Sequence, residues 1–295
     1  GVVTRLTDLH DTRRARSLPL KLYLPDGSAP KGAILFSHGL GGSREGGADW
    51  LAHWASWGFA GLAVQHPGSD ESLLRQGSPL ALRRAFKAAM NPERLAERAE
   101  DLRLVLARLG HDPALPDVSV PIGLAGHSFG AVTVQLLAGE HRPNQPPKDL
   151  DPRVRAVIAL SPSARHADSA SGLAQRFGHV HLPFFGITGS RDDGMGLSDI
   201  TAANRELPFR HMPADGGKYL LVFAGGNHLD FAGEASDAEG AVFTIRREPA
   251  VFRPQLLAAS TAFWRAHLTA DAAARQWLHS DFPAHLRPDD RFEHK

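Results

Sequence analysis

Cysteine is absent from all 295 residues. That removes disulfides, thiolate metal sites and every mechanism built on a cysteine nucleophile. No run of 18 apolar residues occurs, so the sequence offers no membrane-spanning segment. A surplus of one charge is also missing: 33 Lys and Arg stand against 32 Asp and Glu, a formal net charge of +1. Such a balance carries no electrostatic footprint for nucleic acid or an anionic membrane, and neither is expected as a partner. Internal repeats and long low-complexity stretches are lacking too. The chain opens at Gly1 rather than Met, with no signal-peptide pattern. Either a leader has been removed or Gly1 is an added residue, and a periplasmic or secreted location with the leader removed is favoured over the cytoplasm.

What is present describes a well-stocked globular chain. Hydrophobic residues make up 42% and charged residues 22%, enough to bury a large core under an ordinary soluble surface. Short apolar runs alternate with helical patterns, the signature of βαβ units around a mostly parallel sheet. Strands are expected at 33–37, 59–64, 120–125, 154–160, 182–188 and 219–223. These runs are continuous rather than alternating, as strands covered on both faces require. A helix is expected over 92–109, with Asn91 as N-cap, Pro92 at the first helical position and Gly110 closing it. Ser78-Pro79 opens a shorter helix ending near Met90, and a last helix covers 254–268. Stretches 67–77 and 141–152 read as loops, not interdomain linkers. The expected whole is one α/β domain over 1–295, with a short lid segment at 72–90.

Four features carry chemistry. Gly126-His127-Ser128-Phe129-Gly130 fits G-x-S-x-G and lies between an apolar run and a helical pattern. A serine on a sharp strand-to-helix turn needs small neighbours, which Gly126, Gly130 and Ala131 supply. Phe36-Ser37-His38-Gly39-Leu40-Gly41-Gly42 is a glycine-rich loop at a strand end, suited to presenting backbone N–H groups to an oxyanion. A phosphate cradle fits poorly, because Gly-Lys-Ser/Thr is missing and Arg44 stands where a dinucleotide fingerprint needs glycine. Within that loop His38 is expected to brace rather than react. The run 184–193 ends in Asp192-Asp193, and the run 220–228 ends in His228. Serine, acid and base in this chain order suit a nucleophile, a carboxylate that fixes an imidazole, and the imidazole that takes the proton. Asp192 is the expected acid, as the first carboxylate beyond its strand; Asp193 is expected to face solvent or cap the turn, and Asp230 is the more distant alternative.

Other residues have blander readings. His179 and His181 are expected on one face of a strand edge, and no third ligand stands nearby, so no metal is expected. Arg83, Arg84, Lys87, Arg94 and Arg98 read as a solvated helix face. Trp50, Trp54 and Trp57 share helical spacing and read as core.

The segments Phe-Ser-His-Gly-Leu-Gly at 36–41, Gly-His-Ser-Phe-Gly at 126–130 and His228-Leu-Asp-Phe231 resemble the platelet-activating-factor acetylhydrolase branch of the α/β-hydrolases. They resemble still more its bacterial relatives labelled dienelactone-hydrolase-like. The opening 18–25, the Gln65–Asp70 loop and Phe263-Trp264 extend the likeness over about residues 15–270. The resemblance implies an α/β-hydrolase fold, Ser128 as nucleophile, His228 as base, and the N–H groups of Leu40 and Phe129 as oxyanion hole. Two departures stand out. True dienelactone hydrolases use a cysteine nucleophile, which this chain lacks. In the acetylhydrolases the acid directly follows the strand ending Ile-Ala-Leu, whereas here Ile158-Ala159-Leu160 is followed by Ser161.

The expected activity is a serine carboxylesterase working without cofactor on small to medium acyl esters. A lipase or polyester hydrolase with an open apolar cleft is the alternative among enzymes. A non-catalytic binding protein on the same fold is the alternative outside them.

Overall fold

The structure, a computed structural model, describes residues 1–118, 121–143, 148–165, 170–233 and 249–295. Its described strands form one nine-stranded sheet. In chain order they are β1 (Val2–Asp11), β2 (Arg16–Pro25), β3 (Ala33–Ser37), β4 (Ala60–Val64), β5 (Ile122–His127), β6 (Val154–Leu160), β7 (Phe184–Arg191), β8 (Lys218–Asn227) and β9 (Arg291–His294). Across the sheet the order is β1-β2-β4-β3-β5-β6-β7-β8-β9. Strands β3 to β8 run parallel. The β1–β2 hairpin and β9 close the two edges antiparallel.

All six strands expected from apolar runs are present. Three of them extend further along the chain than the runs, to His127, Arg191 and Asn227. The third run begins as a strand at Ile122; its Val120 lies outside the described residues. The three antiparallel strands β1, β2 and β9 went unanticipated because none of them is a continuous buried apolar run. β1 is mostly exposed along its length and β9 has no fully buried residue.

The described helices are α1 (Ala48–Ser56), α2 (Pro79–Ala89), α3 (Pro92–Arg108), α4 (Phe129–Leu137), α5 (Ala170–Phe177), α6 (Leu207–His211), α7 (Arg253–Leu268) and α8 (Ala272–Ser280). None of them is long and apolar enough to cross a membrane. α3, α4 and α5 pack on one face of the sheet through Leu102, Val134 and Phe177. α1, α7 and α8 pack on the other through Trp54, Phe263 and Leu278. The caps read from sequence form: Asn91 Oδ1 accepts from the Arg94 N–H at 2.8 Å, and Gly110 turns left-handed at φ 81°. Ser78 Oγ likewise accepts from the Ala81 N–H at 3.2 Å at the start of α2. The chain runs outward from β3 to β4, then crosses back to β5 on the other side of β3. The crevice this reversal opens lies at the carboxyl ends of the strands, where open α/β sheets place ligands.

Three expectations fail, each for a local reason. Trp57 is 44% exposed, because it caps the end of α1 and lies under the Arg265 guanidinium, 5.1 Å from its ring centroid. Arg98 is 1% exposed instead of solvated, because loops from β3 and β4 close over it. His179 and His181 precede β7 rather than lying on a strand; His179 stacks on His141 with centroids 4.4 Å apart.

Trp54 is fully buried, donates to Ser260 Oγ at 2.9 Å and meets Trp264 edge-on at 5.5 Å. Trp264 in turn lies against Gly123, where an added Cβ would sit 2.6 Å from the indole. Trp54→Ala is therefore expected to lower unfolding free energy by about 3–5 kcal/mol, and Trp57→Ala by less than about 1 kcal/mol. Urea midpoints measure the difference; equal losses would contradict the burial of one ring and the exposure of the other.

Candidate active site

The turn after β5 is strained in the way a strand-to-helix elbow demands. Ser128 adopts φ 57° and ψ −116°, a left-handed conformation that a side chain rarely takes. Both flanking glycines are forced by close approach. A Cβ on Gly126 would lie 2.3 Å from the Gly130 carbonyl oxygen, and one on Gly130 would lie 1.9 Å from that of Ser37. α4 can therefore start directly against the end of β3.

The elbow points Ser128 Oγ at His228 Nε2, 2.8 Å away. His228 begins the short turn His228–Phe231 after β8, and its Nδ1 lies 2.7 Å from Asp192 Oδ1. The neutral tautomer that satisfies both contacts carries its proton on Nδ1 and accepts from Ser128 at Nε2. Behind the ring, His127 Nε2 bonds the His228 carbonyl at 2.9 Å. Burial, with a smaller contribution from His228, pushes His127 down to about 3, so it is a neutral brace.

Asp192 is fully buried, and both its oxygens are occupied. Oδ1 faces His228 and the Arg205 Nε at 3.3 Å; Oδ2 accepts from Ser161 Oγ at 2.6 Å and Thr188 Oγ1 at 2.7 Å. Burial works to raise its pKa, but His228, the Arg205 charge and Ser161 overcome it and hold the carboxyl down at about 2. The other carboxylates lie elsewhere. Asp193 is exposed and accepts from the Met195 N–H at 2.8 Å, while Asp230 Oδ2 accepts from the Asn227 N–H at 2.9 Å.

The glycine-rich loop comes close on the other side of the serine. A Cβ on Gly39 would lie 3.5 Å from Ser128 Cβ. Among the described residues, the N–H groups of Leu40 and Phe129 have no acceptor in the protein. His38 does not touch Ser128. It bridges the Gly39 carbonyl at 2.6 Å and the His66 N–H at 3.0 Å, a brace within the loop.

Sequence reading passed over Ser161, Thr188 and Arg205. Ser161 stands where a carboxylate would follow β6, and its hydroxyl supports the carboxylate that follows the neighbouring strand instead. Arg205 follows the capping box Thr201/Asn204, a structural signal that says nothing of the arginine's direction. A cleft of about 1860 Å³ opens over Ser128 and His228, with Leu40, Leu82, Phe86, Phe129 and Val132 among its walls.

No protein-family model matches this sequence, and no curated protein matches it. Solved structures do. A dienelactone hydrolase from Anabaena variabilis ATCC 29413 aligns over 90% of this chain and 99% of its own, with 19% identity and a TM-score of 0.54. A putative dienelactone hydrolase from Klebsiella pneumoniae subsp. pneumoniae MGH 78578 aligns over 77% of this chain and 88% of its own, with 13% identity and a TM-score of 0.56. The fold is that of the α/β-hydrolases. In this protein the elbow after β5 and the residues that follow β7 and β8 converge on one crevice, where the side chains of Ser128, Asp192 and His228 meet.

The buried pair of Asp192 and Arg205 makes a stability prediction with a definite sign. The folded pKa of Asp192 lies below its ordinary 3.8, at about 2, so its stabilisation is full above that range and is lost as pH falls from about 4 to 2. Asp192→Asn leaves Arg205 buried without its countercharge and is expected to cost about 3–5 kcal/mol at pH 7. The gap to the parent should narrow below pH 4, while exposed Asp193→Asn stays within about 0.5 kcal/mol throughout. Denaturation at pH 7 and pH 3 tests this; a gap unchanged by pH would contradict an ionised Asp192.

Proposed function

We propose that the protein is a serine hydrolase cleaving carboxylic esters of small to medium acyl groups through an acyl-enzyme. The observation that carries this reading is the unbroken chain from Ser128 Oγ to His228 at 2.8 Å and on to Asp192 at 2.7 Å. A serine hydroxyl is a weak nucleophile until a neutral imidazole takes its proton, and this chain supplies one in the right tautomer. Ser128 Oγ attacks the ester carbonyl as its proton passes to His228 Nε2. The imidazolium so formed faces Asp192, which stays ionised over any working pH. The Leu40 and Phe129 N–H groups hold the tetrahedral oxyanion, and one such donor stabilises the transition state by about 3 kcal/mol. His228 then protonates the leaving alcohol, and water, deprotonated by the same imidazole, releases the acid. Metal and organic cofactors have no role in this scheme.

Segment 72–90 supports a lid-like wall in this reading. α2 lays Leu82 and Phe86 along the cleft, and the Phe86 ring presses on Gly41, where a Cβ would lie 2.7 Å away. The breadth of the cleft favours one second reading, a lipase or polyester hydrolase. Its volume of about 1860 Å³ exceeds the roughly 300–1,000 Å³ of ordinary small-ligand pockets.

Two measurements test these readings. A fluorophosphonate should label Ser128, and Ser128→Ala should abolish both label and ester hydrolysis with the fold retained. No adduct on the parent would instead mark a binding protein. On a panel of nitrophenyl esters, C2–C6 chains should give higher kcat/KM than C12–C16. The reverse order would move the assignment to the lipase reading.

A further inference from the structure

Behind the glycine-rich loop lies a second Ser-His-Asp arrangement with no route to solvent. Ser37 Oγ bonds His66 Nε2 at 2.8 Å, and His66 Nδ1 bonds Asp101 Oδ2 at 2.9 Å, all three side chains fully buried. Substrate cannot reach Ser37, so this is not a second nucleophile. What it holds is Arg98, one turn before Asp101 on α3. Arg98 Nη1 donates to Ser37 Oγ at 3.4 Å, so the hydroxyl accepts from the guanidinium and donates its own O–H to His66 Nε2, whose Nδ1–H faces Asp101. Arg14 and Arg16, each 2.8 Å from Asp101, balance the rest of its charge.

The other donors of Arg98 reach two backbone carbonyls and one hydroxyl. Nη1 donates to the His38 carbonyl at 2.6 Å and Nη2 to the Gly39 carbonyl at 3.3 Å; Nε donates to Ser69 Oγ at 2.8 Å. The Gly39 oxygen also accepts from the Gly42 N–H at 3.1 Å and from His38 Nδ1. His38 carries its proton on Nδ1 because Nε2 accepts from His66 N–H. Three donors thus pin one carbonyl. The peptide joining Gly39 to Leu40 is planar and trans, so fixing its C=O aims the Leu40 N–H the opposite way. The Arg98 guanidinium also lies 4.7 Å from the Phe129 ring centroid, beside the other proposed oxyanion donor.

We propose that Arg98 is a positioning residue for the oxyanion hole, fixing the Gly39–Leu40 peptide so that the Leu40 N–H meets the developing oxyanion. The proposal rests on the ester-hydrolase reading above. It explains why a guanidinium is buried at all: a lysine in its place has no planar fork to hold His38, Gly39 and Ser69 together. Burial lowers the Arg98 pKa to about 9 against the pull of Asp101 and Asp70, which leaves it charged at neutral pH.

The experiment compares the parent, Arg98→Lys and Ser69→Ala, each titrated with fluorophosphonate so that kcat is expressed per reactive Ser128. Arg98→Lys is expected to lower that kcat about 10–100-fold with KM changed less than about 3-fold. Ser69→Ala, which removes only one bond to the guanidinium, should lower it about 3–10-fold. Affinity for a trifluoromethyl ketone, whose hemiketal oxygen mimics the oxyanion, should fall by the same factor in each variant. If Arg98→Lys fails to fold, the Ser69→Ala result decides. Normal kcat per titrated site, or a loss seen only as fewer titratable sites, overturns the proposal and leaves the hydrolase reading standing. Absence of any adduct on the parent overturns both.

Discussion

At Gly130 there is room for a hydrogen and nothing larger, because a methyl group would lie 1.9 Å from the Ser37 carbonyl oxygen. This contact between the first turn of α4 and the last residue of β3 sets the geometry of the whole crevice. It brings the elbow at Ser128 against the loop that follows β3, so that Gly39 lies within van der Waals reach of the serine. Leu40 of the loop and Phe129 at the start of α4 then line the same cleft. Gly126 serves the same purpose one turn earlier, leaving room for the Gly130 carbonyl. Two missing side chains decide where an oxyanion could sit.

Around this point the protein buries two clusters of charge, one on each side of Ser128. On one side Asp192 is shared among His228, Arg205, Ser161 and Thr188. On the other Asp101 is shared among His66, Arg14 and Arg16, with Arg98 joined through Ser37. Buried charges are costly unless partnered, and here most partners are fixed groups; Arg14 Nη2, Arg16 Nε and Asp101 Oδ1 are held by charge attraction without a hydrogen bond. Fixed dipoles need no reorganisation when charge develops nearby, which is the property a hydrolase of the proposed kind requires. The two clusters differ in what they hold: one a side chain, the imidazole, and the other a backbone peptide.

The central sheet was legible because strands covered on both faces must be apolar throughout, and Ala33–Ser37 and Val154–Leu160 are. The nearness of Ser128, Asp192 and His228 was legible for a related reason: each follows such a strand, and parallel strands bring their carboxyl ends to one edge. The hairpin β1–β2 was not legible, since an edge strand with one wet face reads like loop. Arg98 was misread because a basic residue among Glu and Arg on a helix looks solvated. Its burial comes from loops at 37–39 and 66–69, separated from it by about 30–60 residues of chain. Trp57 was misread by periodicity carried one residue past the end of α1. These failures share a cause: burial of an end or an edge is decided by what closes over it.

Ser161 shows how the candidate acid can stand on β7 without disturbing the rest. It follows β6 at φ 56°, and its hydroxyl reaches across to Asp192 Oδ2 at 2.6 Å. The ends of β6 and β7 therefore deliver their side chains to the same place beneath His228. In the acetylhydrolases that this sequence resembles, the carboxylate comes from the β6 position; here that position supplies a donor to a carboxylate from β7. A hydroxyl at the end of β6 cannot polarise an imidazole, but it can satisfy an oxygen that would otherwise be buried without a partner. Thr188, at the end of the buried part of β7, fills the same oxygen from the other side. What the fold constrains is the location of the negative charge relative to His228, and adjacent parallel strands offer two routes to it. The serine at 161 is thus part of the same arrangement as the aspartate at 192, and neither residue's presence is explained without the other.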